Sequence, residues 1–79
     1  MTTKTRPREY YIDRIKAHLL KKYPGMEFEV DHVDERETFV YCYPRVPMEG
    51  TYAVTERAGN IVTDALVDDG YRIYVMTRD

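Results

Sequence analysis

The chain has 79 residues, with 12 basic and 14 acidic side chains, a formal net charge of −2 and a pI near 5.6. One domain over residues 1–79 fills that length, and 43% hydrophobic with 13% aromatic residues is the composition of a folded chain, not a disordered one. A single cysteine, Cys42, excludes an intrachain disulfide, and no run of about 18 apolar residues is present to span a membrane.

Charge is unevenly divided along the chain. Residues 1–24 hold seven basic and two acidic side chains, a net of +5, whereas residues 25–79 hold five basic and twelve acidic ones, a net of −7. Such a split marks an anionic partner, or it helps one part of the molecule dock on another. Residues 1–7 read as a flexible basic arm. They lack the apolar stretch of a signal peptide, so a cytoplasmic location is expected.

The spacing predicts an amphipathic helix over 8–23. Tyr11, Ile12, Ile15, Leu19 and Tyr23 recur every three or four residues and share one stripe, with Leu20 at its edge. Pro7 suits the first helical turn, with Thr5 or Arg6 as the flanking cap. Pro24-Gly25 ends the helix. The opposite face carries Tyr10, Arg14, His18 and Lys21.

Beyond that stop the period changes to two. Met26, Phe28, Val30 and His32 alternate with Glu27, Glu29 and Asp31, the pattern of a half-buried strand. Asp34-Glu35-Arg36-Glu37 reads as a polar turn, and Thr38 to Tyr43 as a second strand. A hairpin centred on Glu35-Arg36 pairs Val30 with Tyr41 and Phe28 with Tyr43. Phe39, Tyr41 and Tyr43 then face the core, and Val40 and Cys42 face away.

Pro44 and Pro47 define a loop to Gly50. Thr51 to Arg57 reads as a third strand with Tyr52 and Val54 facing the core, and Ala58-Gly59-Asn60 as a turn. Residues 61–68 allow two readings. Asn60 can cap a short helix in which Ile61, Ala65 and Leu66 share a face, while the β-branched Ile61-Val62-Thr63 favours a strand passing into a helical turn. Asp68-Asp69-Gly70 is a turn, and Tyr71 to Thr77 a last strand with Tyr71, Ile73 and Val75 on one face. The expected fold is α+β: one N-terminal helix on one antiparallel sheet, in the order α-β-β-β, an uncertain element, then β, in two layers.

Catalytic and metal chemistry find little support in these residues. In the expected register His32 and Cys42 project to opposite faces, so the base cannot reach the thiol as a nucleophilic dyad requires. One cysteine and two histidines fall short of a structural zinc set. The acidic stretch Asp31, Asp34, Glu35 and Glu37 lacks the central glycine of a calcium loop and contains Arg36. No phosphate loop, dinucleotide fingerprint or serine elbow occurs. No enzyme activity, cofactor or metal is implied.

Two surfaces remain. Val40, Cys42, Tyr74 and Met76, with Ala53, share the expected outer sheet face, an apolar patch suited to a protein partner or a second copy. Tyr71 to Val75 at a sheet edge offers a related route to a homodimer. The alternative is a nucleic acid held by Arg6, Arg8, Tyr10, Arg14 and Lys21. The helix-first order is similar in outline to double-stranded-RNA-binding domains. Those have a basic second helix, where this chain holds Asp64, Asp68 and Asp69.

Leu19-Leu20-Lys21-Lys22-Tyr23, Glu27-Phe28-Glu29-Val30, Tyr41-Cys42-Tyr43-Pro44 and Gly59 to Asp64 together resemble small cystatin-like domains of Gram-positive bacteria, over residues 11–75. The resemblance implies a helix followed by a curved antiparallel meander, and many such domains are lipoproteins of unknown role. The chain departs from them in lacking a signal peptide and a lipid-attachment cysteine near the start. The resemblance carries over no catalytic residue. The function expected is a small non-catalytic module acting through protein contacts, with no membrane partner.

Overall fold

The computed structural model describes residues 6–44 and 52–78, which form α1 (Arg8–Lys22), β1 (Glu27–His32), β2 (Glu37–Tyr43), α2 (Tyr52–Asp69) and β3 (Arg72–Thr77). The loop expected to run to Gly50 lies outside these residues from position 45, as do residues 1–5 of the basic arm. The side chain of Tyr52, expected to face the core, is also outside them.

The first helix follows its sequence pattern. Tyr11, Ile12, Ile15 and Leu19 are buried along one stripe. Pro7 sits one position earlier than expected, as the N-cap residue in extended geometry with no side-chain cap. Its carbonyl accepts from Tyr10 N–H at 3.0 Å. Beyond the helix, Gly25 takes a φ of 85°, a left-handed turn that glycine adopts without steric cost.

Both strands of the hairpin are present, but the register differs by one residue from the expected one. Val30 pairs with Val40 and Phe28 with Cys42. The cause lies in the turn. Asp34 Oδ1 accepts from the backbone N–H groups of both Arg36 and Glu37 at 2.8 Å. Val33 N–H closes on the Glu37 carbonyl at 2.9 Å. The loop is therefore the three residues Asp34–Arg36 and not four, and in a pleated strand a slip of one turns every side chain over. Thr38, Val40 and Cys42 point inward and are fully buried, while Phe39, Tyr41 and Tyr43 point outward.

The chain from 52 to 69 is one helix, which corrects the third strand over Thr51 to Arg57, the turn at Ala58-Gly59-Asn60 and the strand reading of 61–68. Val54, Ala58, Ile61 and Ala65 stand at helical spacing and are all buried, a stripe that the turn-like Gly59-Asn60 pair obscures. Gly59 lies inside the helix, where glycine costs about 1 kcal/mol relative to alanine and does not prohibit helix. Gly70, with φ 74°, ends the helix. Its N–H returns to the Leu66 carbonyl at 3.0 Å, and Tyr71 N–H to that of Ala65 at 3.0 Å.

With a helix between them, β2 and β3 run parallel, as the crossover connection requires. The fold is α+β with a mixed three-stranded sheet in the order β1-β2-β3, and the antiparallel-only expectation is corrected. The described elements run α-β-β-α-β. One core joins the α1 and α2 stripes to Val40, Cys42, Ile73 and Val75 from the sheet. Thr55 Oγ1, on α2, donates to the Val75 carbonyl at 3.1 Å and fixes that helix on β3.

Candidate functional site

The protein-contact residues expected from sequence are divided by the sheet. Val40 and Cys42 are fully buried beneath the helices, so they leave the outer-face set. Ala53 lies on α2 and leaves it too. Tyr74 and Met76 do occupy the outer face, each 41% exposed. Burial in an apolar core pushes the Cys42 thiol up to about 11. His32 and Cys42 share the inner side of the sheet, contrary to expectation. His32 pairs with Thr38, four positions along β2 from Cys42, and its Nδ1 lies 3.0 Å from Thr38 Oγ1. That offset of four residues is about 13 Å of strand, too far for a dyad.

Phe39, Tyr41 and Tyr43 take the places that Val40 and Cys42 vacate. The Phe39 ring stacks on Tyr74 at 5.0 Å and on Tyr41 at 6.0 Å between centroids. Arg78 lies over the Tyr41 ring at 4.3 Å. Tyr43 donates its hydroxyl proton to Glu29 Oε1 at 2.6 Å, and that bond holds the phenol above its ordinary pKa. The register sets acids on β1 and Arg72 on β3, beside Glu37 of β2, while the Arg78 guanidinium reaches over Tyr41 toward Tyr43. Glu27, Glu29 and Asp31 of β1 stand beside Tyr43, Tyr41 and Phe39. Arg72, Tyr74 and Met76 of β3 stand beside Glu37, Phe39 and Tyr41. No described element covers this face. The one available signal for it was the Asp34 carboxylate, which shortens the turn.

The basic residues expected to meet an anion are placed differently. Arg6 Nη1 lies 4.0 Å from Asp68 Oδ2, and Arg14 Nη2 lies 3.5 Å from Asp64 Oδ2. Both guanidinium groups also flank the Tyr10 ring, at 5.3 Å and 5.6 Å. Arg8 donates to the main-chain carbonyl of Asp34. The +5/−7 asymmetry thus joins α1 to α2 within the molecule, while Lys21 stands further along the seam. Among the described residues, no three His, Cys, Asp or Glu side chains converge as a metal site. No described helix is long and apolar enough to cross a membrane.

No family, curated protein or solved structure matches the chain.

Proposed function

We propose that this chain is a non-catalytic binding module whose helix-free sheet face docks on a second copy of itself. The observation that carries the reading is the division of charge across that face, with Glu27, Glu29 and Asp31 on β1, Arg72 and Arg78 at the ends of β3, and stacked aromatic rings between. A dyad parallel to β2 lays β1 of one copy over β3 of the other. Glu27 of each copy then stands level with Arg78 of the other, Glu29 and Asp31 lie opposite Met76 and Tyr74, and the aromatic rings form the middle of an aligned sheet-on-sheet contact. Three strands about 4.8 Å apart and six residues of about 3.3 Å each give a footprint of about 14 by 20 Å. That is about 280 Å² per copy, below the roughly 1,000 Å² in total that a stable interface buries, so the dimer is weak and concentration-dependent.

The competing reading, a nucleic acid laid along α1, has two of its five contact residues, Arg6 and Arg14, engaged by α2.

Sedimentation velocity with complementary charge reversals tests the dimer. R72E/R78E places acid on both edges of the face, and E27K/E29K/D31K places base on both. Each variant alone should be monomeric with an unchanged circular dichroism spectrum, and an equimolar mixture should restore dimers. A wild-type chain that stays monomeric at the highest soluble concentration, or a mixture that stays monomeric, overturns the reading.

A further inference from the structure

A different observation, on the other side of the molecule, concerns the seam between the two helices. There the charges alternate in order until the acids run out. Arg6 meets Asp68, and Arg14 meets Asp64. The next positions of α2, stepping back one turn at a time from Asp64, are Asn60 and Arg57, and they face His18 and Lys21 across a cleft of about 380 Å³. Arg14, Lys21 and Arg57 therefore line one cavity from both helices, with His18 and Asn60 beside them and Ala17 and Ile61 completing the wall. Among the described residues, no carboxylate belongs to that lining. Asp64 stands next to it, engaged by Arg14.

Like charges converging from two packed helices repel one another, and a bound anion turns that repulsion into attraction. The cleft's polar side chains present donors. The Arg57 guanidinium fork, the Lys21 ammonium and the Asn60 amide suit the several oxygens of a tetrahedral oxyanion better than the two of a carboxylate. We propose that this cleft binds a small ligand through a phosphate or diphosphate group, with Lys21 and Arg57 neutralising it, Asn60 and His18 completing its hydrogen bonds, and Arg14 at the rim still paired with Asp64. The cavity is larger than one phosphoryl group needs, which leaves room for a second or for part of the attached molecule. This site shares no residue with the sheet face and stands whether or not that face dimerises.

The decisive variant is R57E, which completes the ion-pair series in the free protein while removing the ligand's charge. Inorganic pyrophosphate is the probe, compared with sodium chloride at equal ionic strength, and K22E, at an exposed α1 position outside the cleft lining, is the control for net charge. In the wild type and K22E, pyrophosphate at ten times its Kd should raise Tm by about 5–10 °C. The amide shifts should centre on residues 14–21 and 57–61. In R57E the shift in Tm should vanish while the free protein melts at the wild-type temperature or above it. A general loss of structure cannot produce that combination. A wild-type response no larger than that to chloride overturns the proposal, and so does an R57E chain that still responds. Binding of a short single-stranded oligonucleotide or of anionic lipid vesicles at the cleft, without binding of pyrophosphate, overturns the small-ligand assignment in the same way.

Discussion

Arg36 and Asp69 stand 33 residues apart in the chain, yet Arg36 Nη1 donates to the main-chain carbonyl of Asp69 at 2.9 Å. The Arg36 carbonyl in turn accepts from Arg72 N–H at 2.7 Å. One turn residue thus serves three elements. Its guanidinium sits at the C-terminal end of α2, where a cation offsets the helix dipole, and its backbone opens the parallel pairing of β2 with β3. Gly70 stands directly beside it. At φ 74° a side chain is strained, and a β-carbon there would lie 2.8 Å from Arg36 Nη1.

That geometry predicts non-additive substitutions. Arg36→Ala should cost about 1 kcal/mol for a solvent-facing charged hydrogen bond. Gly70→Ala should cost about 1–2 kcal/mol for the left-handed backbone, plus the arginine contact it displaces. Because the β-carbon at 70 dislodges the same guanidinium, the double variant should lose less than the sum. Urea denaturation of all four proteins measures the coupling, and strict additivity would refute the shared contact.

Gly59 gives the opposite sign. A β-carbon built there meets nothing within 4 Å, and its φ is not in the left-handed region. Gly59→Ala should therefore stabilise the chain by about 0.5–1 kcal/mol through helix propensity alone. A Tm below that of the wild type would show that α2 is not continuous through this position.

Asp34 ties stability to pH. Two backbone N–H bonds, from Arg36 and Glu37, hold its carboxylate below the ordinary value. A group depressed on folding adds stability that is full above its unfolded pKa, near 3.9, and is lost as pH falls through the lower folded value. The urea midpoint of the wild type should thus fall as the solution is acidified below about pH 4. Asp34→Asn keeps an acceptor but cannot titrate, so its midpoint should fall less steeply over that range. Parallel curves for the two proteins would assign the acid sensitivity to other groups.

What could be read from the sequence follows from how local its causes are. The α1 stripe, the alternation of β1 and the last strand are written in neighbouring residues, and the structure keeps all three. The inner and outer faces of β2 depend on one side-chain bond in the Asp34 turn, and eight tyrosines in the chain make an aromatic face look like a core. For α2, the Gly59-Asn60 pair and the β-branched run after it favour strand locally. Packing of Val54, Ala58, Ile61 and Ala65 against α1 and β3 overrides that preference. The α1–α2 cleft is not legible locally, because Arg57 and Asn60 read as part of a strand and a turn, with no helix to share with Asp64. Bipolar charge was visible from the start, but only the second helix shows where it is satisfied and where it is not.

The hairpin register carries the last prediction, because the sheet-face reading depends on it. Val40 is fully buried among Val54, Ile73 and their neighbours, whereas Tyr41, one residue on, faces outward under Arg78. Val40→Ala removes two methyl groups from a closed core and should cost about 1.5–3 kcal/mol. Tyr41→Ala removes a far larger side chain from a surface stack and should cost less, about 0.5–1.5 kcal/mol. The four-residue turn inverts that order, since it would bury Tyr41 and expose Val40. Thiol labelling gives an independent reading of the same register. With its thiol buried and raised to about 11, Cys42 should resist an aromatic disulfide reagent at pH 8 in the native state and react at once in urea. Rapid labelling of the folded protein, together with Tyr41→Ala as the costlier substitution, would place β2 in the other register and remove the aromatic face on which the dimer is built.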